Sequence, residues 1–364
     1  MKNMLARGAQ PRRRTVCLAL ASGVLAGCAG RTPVQSAPPL RVYGNLSTLE
    51  LAPVLLAASR ALPDPIRVQQ GGISSLYGLD GDLPNLVARG ESDLATNSET
   101  QALRYSVAHP DLRLILTVSE GLYRIVARRS AGIAQLADLR GKRVGTMPRT
   151  SSAYYLDRTL RSVGLTQSDV NVVPFVAGSA VPLSRMSEAF RRGELDAATI
   201  WEPELQRAQD ALGADAIEFH DPLGYREQFS LFSTEAKLQD PSLRPRIVAY
   251  VRAIIDASAQ IRRDPRSAWA LVADATRQHP QIIERSWRHH SYPAALAPDL
   301  LDTMVQEEVW VAAETGRVPR GRRELASLID ASLLREALRA ASPAADSGAW
   351  KAAIHSLTRS LRRS

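Results

Sequence analysis

The sequence predicts an α/β protein made of two similar lobes. Its 364 residues are enough for two lobes that each bury a core. Short apolar strands alternate with helical runs along the chain, a pattern typical of a mainly parallel sheet flanked by helices. A stretch from the first half of the chain is also repeated in the second half.

The repeat pairs residues 89–96 with residues 192–199. The two stretches read Arg-Gly-Glu-Ser-Asp-Leu-Ala-Thr and Arg-Gly-Glu-Leu-Asp-Ala-Ala-Thr. Each follows a helical run, turns at a glycine and enters a short apolar strand. Polar or aromatic loops come next, residues 97–99 after the first copy and 201–203 after the second. Two similarly built lobes would explain the repeat, and convergence of two common helix–glycine–strand junctions is the alternative.

The other elements follow from apolar patterning and from Gly and Pro punctuation. A first strand is followed by a polar turn and a helical run, then by a second strand. The C-terminal third is helical in pattern and is broken at Asp264-Pro265 and His279-Pro280. The predicted strands cover residues 40–44, 66–68, 110–118, 122–126, 143–146, 170–175 and 228–233, and the predicted helical segments cover 51–62, about 151–163 and most of 241–315.

Residues 141–156 are the most informative stretch. A strand at 143–146 leads through Met147-Pro148 to a helix whose N-cap is Thr150, Ser151 or Ser152. The apolar residues 156, 160 and 163 predict the buried face of this helix, and Gly164 predicts its end. The free N–H groups at such a helix start attract anions, although an ordinary cap that binds nothing is the alternative.

The N-terminus has the features of a secretion signal. Five basic residues and no acidic residue precede or flank the apolar run 15–25, which is shorter than the roughly 20 residues that span a membrane. These five contribute more than half of the net charge of +9, which weakens the case for a nucleic-acid-binding protein. The run ends Leu-Ala-Gly-Cys28, which resembles the lipobox of bacterial lipoproteins. A plain signal peptide with an accidental cysteine is the alternative.

Several chemistries lack their usual sequence signals. Cys17 and Cys28 are the only cysteines, so a disulfide core and a Cys-based zinc site are not predicted. The chain has no G-x-S-x-G, P-loop, G-x-G-x-x-G or H-E-x-x-H motif. We expect His289-His290 to lie at the surface or in a loop. No cofactor is predicted.

The order of these motifs resembles periplasmic solute-binding proteins of ABC importers. The segment 136–145, with its Ser/Thr turn and Tyr154-Tyr155-Leu156, is most similar to the NMT1/THI5-like branch, which binds nitrate, taurine, aliphatic sulfonates and thiamine pyrimidine precursors. The resemblance covers about 280 residues, up to about Pro319. It implies a type II binding-protein fold, in which two crossover strands form the hinge between the lobes.

The resemblance also implies a domain plan. Residues 1–27 would be the lipoprotein signal peptide and residues 28–39 a tether. Lobe 1 would comprise residues 40–122 and 229–320, and lobe 2 would comprise 123–228. Residues 321–364 would form a basic helical or disordered tail, whose amphipathic end could rest on anionic lipid, pack on its own domain or stay disordered.

The ligand site implied by the resemblance lies between the lobes. Arg149, Thr150 and Ser151 would hold an anionic or polar head group, and first-lobe side chains would add hydrogen bonds. Trp201 would cover an apolar part of the ligand, and Glu202 would orient its loop or accept from a ligand donor. Glu99 and Glu202 fit poorly with a doubly charged anion, so a cationic or zwitterionic pyrimidine-like ligand stays open. The predicted first-lobe contacts are Ser47, Thr48, Asn97 and Ser98.

The function expected is delivery of a small anionic or polar organic solute, such as a sulfonate, taurine or nitrate, to an ABC permease and its ATPase. The protein would be a monomer, lipid-anchored through Cys28 at the periplasmic face of a membrane, with no nucleic-acid partner. Two alternatives remain. One is an enzyme on the same bilobal fold, of the pyrimidine synthase or dehydratase type, with Glu99 or Glu202 in acid–base roles. The other is a lipoprotein with a degenerate cleft that signals to a membrane sensor.

Overall fold

A computed structural model describes residues 38–79, 91–176, 181, 183–222 and 224–339. The predicted signal peptide, Cys28, nearly all of the tether and residues 340–364 lie outside this range. The described residues, 38 to 339, group as one compact unit, within which two β-sheets are formed. Among the described residues, no helix has both the length and the apolar character that crossing a bilayer requires.

The first sheet has six strands in the order β11-β4-β10-β3-β1-β2. β1, β2 and β3 are parallel, whereas β10, β4 and β11 join antiparallel. The strands are β1 (Leu40–Gly44), β2 (Ile66–Gln70), β3 (Leu94–Asn97), β4 (Leu112–Leu122), β10 (Arg226–Thr234) and β11 (His290–Ser291).

The second sheet has five strands in the order β7-β6-β8-β5-β9. Here β6 is parallel to both β7 and β8, and β5 pairs antiparallel with β8 and β9. The strands are β5 (Arg124–Arg128), β6 (Arg143–Thr146), β7 (Asn171–Pro174), β8 (Ala197–Ala198) and β9 (Ala216–His220).

Helices follow most strands and cover both sheets. In the first two thirds of the chain they are α1 (Ala52–Ala58), α2 (Glu99–Ala108), α3 (Ser151–Arg161), α4 (Met186–Arg191), α5 (Glu204–Leu212) and α6 (Glu235–Gln239). In the last third they are α7 (Arg244–Arg263), α8 (Arg266–Thr276), α9 (Pro280–Ser286), α10 (Leu300–Thr315), α11 (Arg322–Ala326) and α12 (Ser332–Arg339).

The sequence repeat corresponds to a structural repeat. In the first sheet, Arg41 at the start of β1 donates from its backbone N–H and its guanidinium to Asp93, at 2.8 Å each for the backbone N and Nη2. In the second sheet, Arg143 at the start of β6 contacts Asp196 in the same way, at 2.9 and 2.6 Å. Each aspartate belongs to one copy of the repeat. The matching contacts favour two similarly built lobes over convergence of unrelated junctions.

The chain passes between the sheets twice. β4 ends at Leu122 and β5 begins at Arg124, so Tyr123 alone separates the two sheets there. The return passage to the first sheet lies between His220, where β9 ends, and Arg226, where β10 begins. The sequence predicts this passage at residues 228–233, but those residues belong to β10, which lies wholly in the first sheet. The Tyr123 and Tyr225 rings, one from each passage, are 6.1 Å apart. The residue boundaries proposed for the two lobes stay a prediction.

The C-terminal helices complete the core of the first sheet. α12 packs against α7, and the bridge between Leu114 and Ile329 ties the preceding segment to β4. We had expected a tail from residue 321, but residues 322–339 contribute buried side chains to this core because their apolar positions recur at helical spacing. The buried members are Leu325, Leu328, Leu333, Leu334 and Ala337.

Candidate functional site

A small cavity lies between the two sheets and is lined by residues from both. Its walls come from the loops that follow β1, β3, β6 and β8, together with β10. These loops lie at the carboxyl ends of the parallel strands, where ligands of open α/β sheets gather. The lining residues are Asn45, Thr48, Glu50, Asn97, Ser98, Gln101, Met147, Thr150, Ser151, Trp201, Glu227 and Phe229.

The cavity is narrow. Its volume of about 30 Å³ exceeds what one water requires but leaves room for only a few non-hydrogen atoms. Across it, the Gln101 side-chain amide of α2 donates to the backbone carbonyl of Arg149, 2.7 Å away. The first-sheet and second-sheet sides of the site therefore make direct contact. A solute larger than this cavity could bind only if the two sides moved apart.

Most of the residues predicted from sequence lie together here. Thr48, Asn97, Ser98, Thr150, Ser151 and Trp201 all line the cavity.

Three predicted residues lie elsewhere. The Ser47 backbone N–H donates to Asn45 Oδ1, and Ser47 is not among the lining residues. Arg149 has φ 63°, is exposed and contributes its carbonyl to Gln101, without lining the cavity. Glu202 faces an adjoining pocket that also contains Arg124, His289 and His290.

Glu202 is held inside the second lobe by a buried ion pair. Its Oε1 accepts from Arg124 Nη2 at 2.7 Å and from Nε at 3.0 Å, and its Oε2 accepts from the backbone N–H of Gln206 at 2.9 Å. Arg124 is fully buried and also donates to Glu218 at 2.7 Å. These contacts satisfy both Glu202 oxygens. They hold the loop that carries Glu202, and they leave little capacity for accepting a ligand hydrogen bond.

The two adjacent histidines are not surface residues. His289 is 5% exposed, and burial together with the positive charges of Arg124 and Arg288 lowers its pKa to about 2. The side chain of His290 is also buried, with Nε2 3.5 Å from Glu50 Oε1. Our prediction of surface histidines was wrong because β11 pairs with β4 and packs this segment against the adjoining pocket.

Carboxylates occupy the helix starts that face the cavity. Glu50 lies in the first turn after Thr48, and Glu99 is the first residue of α2. Ser151, the first residue of α3, donates from its hydroxyl to Glu227 Oε1 at 2.5 Å. Thr150 caps α3 without a side-chain bond to the helix, because its hydroxyl donates to the carbonyl of Met147 at 2.8 Å. The helix end predicted to attract a bound anion therefore already has a protein carboxylate beside it.

A second group of carboxyls lies beneath the cavity. The Tyr225 hydroxyl contacts Glu307 Oε1 at 2.8 Å and Glu99 Oε1 at 3.2 Å, and Glu99 Oε2 accepts the backbone N–H of Gln228 at 2.9 Å. Burial and the neighbouring Glu307 charge raise the pKa of Glu99 well above its usual value. Burial raises the pKa of Glu307 to about 7. Among the described residues, no group of three or more His, Cys, Asp or Glu side chains could hold a metal ion.

Sequence reasoning missed half of the cavity lining. Glu50 and Gln101 lie two and three residues after predicted contacts, so one helical turn of extrapolation would have found them. Glu227 and Phe229 come from β10, a strand placed beside the cavity by its long-range pairing with β4 and β3. No local signal identifies these two. The missed residues are Asn45, Glu50, Gln101, Met147, Glu227 and Phe229.

The fold is similar to that of known solute-binding proteins. The alkanesulfonate-binding protein SsuA from Xanthomonas axonopodis pv. citri, bound to MOPS, is 18% identical with a TM-score of 0.60, covering 81% of this chain and 99% of its own. The aliphatic sulphonate-binding protein SsuA from Escherichia coli is 19% identical with a TM-score of 0.61, covering 81% and 92%. The desulfurization enzyme DSZB is 16% identical with a TM-score of 0.54, covering 84% and 100%. At these identities the comparisons establish the two-lobed periplasmic-binding-protein fold.

Sequence comparison identifies the family. No curated protein matches the chain by sequence. The family model described as NMT1/THI5 like matches residues 77–268, which is more than half of the chain and includes most of the cavity lining. The chain therefore belongs to the NMT1/THI5-like family.

Proposed function

We propose that the protein is an extracytoplasmic solute-binding protein that delivers a small polar organic molecule to an ABC importer. The observation that supports this best is the cavity, because loops from both sheets contribute polar side chains to one enclosed space. A ligand in that space would contact both lobes and favour their closed arrangement, as differential binding to two conformations requires. The predicted contacts that line the cavity, Thr48, Asn97, Ser98, Thr150, Ser151 and Trp201, are proposed as ligand-binding residues.

Calorimetry with a panel of solutes tests this function. The panel contains sulfonates, taurine, nitrate, pyrimidine precursors and small amines, each added to the intact protein. We expect at least one class to bind and to raise the melting temperature, because a ligand of the native state alone stabilises it by mass action. Thr150→Val should weaken that binding, whereas Thr166→Val, a hydroxyl outside the cavity, should not. If no solute of any charge binds, the proposal fails.

An enzyme is the second candidate, because DSZB shares the fold. Glu227 lines the cavity, and burial with the charges of Glu50 and Glu99 raises its pKa well above the usual value, as a general acid requires. We favour binding over catalysis because hydrogen bonds from Ser151 and Tyr123 already engage Glu227 Oε1. Turnover of a bound solute that is lost in Glu227→Gln would support the enzyme instead.

We propose that a lipid on Cys28 anchors the protein to a membrane, on the face outside the cytoplasm. There the protein would act as a monomer beside its permease and ATPase. The support is the Leu-Ala-Gly-Cys ending of the N-terminal apolar run. Labelling cells with an alkyne analogue of palmitate should mark the wild-type protein, and Cys28→Ser should remove the label and release the protein from the membrane fraction. Cys17→Ser, which changes the other cysteine, should leave both results unchanged. A Cys28→Ser protein that stays in the membrane fraction would contradict a lipid anchor.

A further inference from the structure

The charge of the cavity does not match an anionic ligand. Two of the described lining residues, Glu50 and Glu227, are acidic, and none of the described lining residues is Lys or Arg. In a space this enclosed, a sulfonate or nitrate would face two carboxyl groups at low dielectric without a counter-charge from the lining.

Glu50 lines both this cavity and the adjoining pocket that contains His290. Its side chain is almost fully buried, and Oε2 has no hydrogen-bond partner within the part of the chain that the structure describes. Oε1 lies 3.5 Å from His290 Nε2. A buried carboxylate oxygen without a donor is costly, and a ligand N–H that reached it would remove that cost.

Glu227 forms the other acidic wall. Its Oε1 accepts the Ser151 hydroxyl at 2.5 Å and faces the Tyr123 hydroxyl at 3.4 Å. The positive end of α3, which we had expected to hold a ligand anion, is thus beside a protein carboxylate. A cation placed between Glu227 and Glu50 favours the ionised form of both carboxyl groups, whereas an anion there opposes it.

Further lining groups suit a flat or donor-rich cation. Trp201 supplies an aromatic wall, on which a cation is attracted by the ring quadrupole. Gln101 engages the Arg149 carbonyl through its amide nitrogen, so its side-chain oxygen can accept an N–H donor. Asn97 Oδ1 accepts one bond from the Ser98 backbone N–H and retains a second lone pair. Trp201 Nε1 is also buried without a partner among the described residues, so it can donate to an acceptor elsewhere on the same ligand.

We propose that the head group bound by this cleft is a small organic cation with N–H donors, an ammonium or amidinium, held between Glu50 and Glu227 beside Trp201. This deepens the proposed function and rests on it. It favours the cationic alternative that the sequence left open over the anionic head group. The cation also explains why the carboxylates can be buried together, because each gains a donor when the ligand binds.

Guanidinium and nitrate are a matched pair of probes for this proposal. Both are planar ions with one central atom and three substituents, they differ in the sign of charge, and both are small enough for the cavity. Calorimetric titration of the intact protein with guanidinium chloride should show saturable binding at millimolar concentration. Sodium nitrate should bind no better than sodium chloride.

Variants separate specific binding from the general effect of guanidinium on stability. Glu50→Gln should weaken guanidinium binding about tenfold or more, because it removes one buried charge partner. Glu227→Gln should do the same if Glu50→Gln folds poorly. Glu188→Gln, the same substitution at an exposed surface pair in α4, should bind like the wild type.

The possible results are distinct. Nitrate that binds more tightly than guanidinium would overturn the cationic head group and leave solute binding standing. Guanidinium binding that is unchanged in both Glu50→Gln and Glu227→Gln, or that is absent while a neutral or anionic solute binds, would also overturn it. Failure of every solute of any charge would remove the proposed function as well.

Discussion

Arg124→Met should lower the free energy of unfolding by about 3–5 kcal/mol. Arg124 is fully buried, and its guanidinium donates to Glu202, Glu218 and Gln209. Removing it leaves the Glu202 carboxylate, itself 5% exposed, buried without its cation. Urea titration should show a lower midpoint with an unchanged slope, because the surface exposed on unfolding is the same.

Two further variants test the reason for this effect. Arg192→Met removes an exposed arginine that pairs with Glu188 and Glu194, and it should lower the free energy of unfolding far less, because water screens this pair. The double variant Arg124→Met/Glu202→Gln should recover part of the loss, because it removes the uncompensated charge. If Arg124→Met costs no more than Arg192→Met, the buried pair does not stabilise the lobe as argued here.

The same variant should weaken solute binding. Trp201 lines the cavity and precedes Glu202, so the buried ion pair fixes the position of this aromatic wall. Arg124→Met should therefore raise the dissociation constant of any solute that the cleft binds, although Arg124 does not line the cavity itself.

Glu307→Gln should make the protein more resistant to alkaline pH. Glu307 is fully buried beside Tyr225 and Thr100, and its pKa is raised from 4.5 to about 7. A folded-state pKa above the unfolded value means that its stabilising effect is complete below pH 4.5 and is lost as the pH rises through about 7. The shift corresponds to about 3 kcal/mol. Between pH 5 and pH 8, the unfolding free energy of Glu307→Gln relative to that of the wild type should therefore increase by about 3 kcal/mol.

The neighbouring glutamate provides the control. Hydrogen bonds from Arg317 and Arg320 lower the pKa of Glu308 to about 2, so Glu308 is ionised across the same pH range. Glu308→Gln should destabilise the protein by about 2–3 kcal/mol through the lost charge-assisted bonds, by nearly the same amount at pH 5 and pH 8. A difference between Glu307→Gln and wild type that does not change with pH would contradict a buried, protonated Glu307.

Local patterning was sufficient to predict most strands and helices. The strand at 143–146, its polar turn and the helix from residue 151 agree with β6 and α3, because apolar spacing and capping residues act over a few positions. The repeat at residues 89–96 and 192–199 also indicated two related units, although it did not reveal that Arg41 and Arg143 pair with its aspartates. Those arginines lie about fifty residues away along the chain.

The contribution of Glu227 to the acidic cavity could not be predicted from sequence. Glu227 lies in an antiparallel strand whose neighbours are more than a hundred residues distant, and β4 pairing sets which of its residues face the cavity. Glu202 was a reasonable candidate by position, but the buried Arg124 that engages it comes from a different strand. His289 and His290 are buried for the same reason, through the pairing of β11 with β4.

The sequence by itself determined the α/β class, the relation between the two halves and the loops that meet at the cleft, because these depend on short-range periodicity and on the carboxyl ends of parallel strands. Only the tertiary structure decided the charge inside the cleft. Pairing between distant strands brings Glu227 beside the start of α3, the helix end that the sequence predicts to attract an anion, and into the same cavity as Glu50. Electrostatic energy depends on distance in space, and sequence spacing does not report that distance.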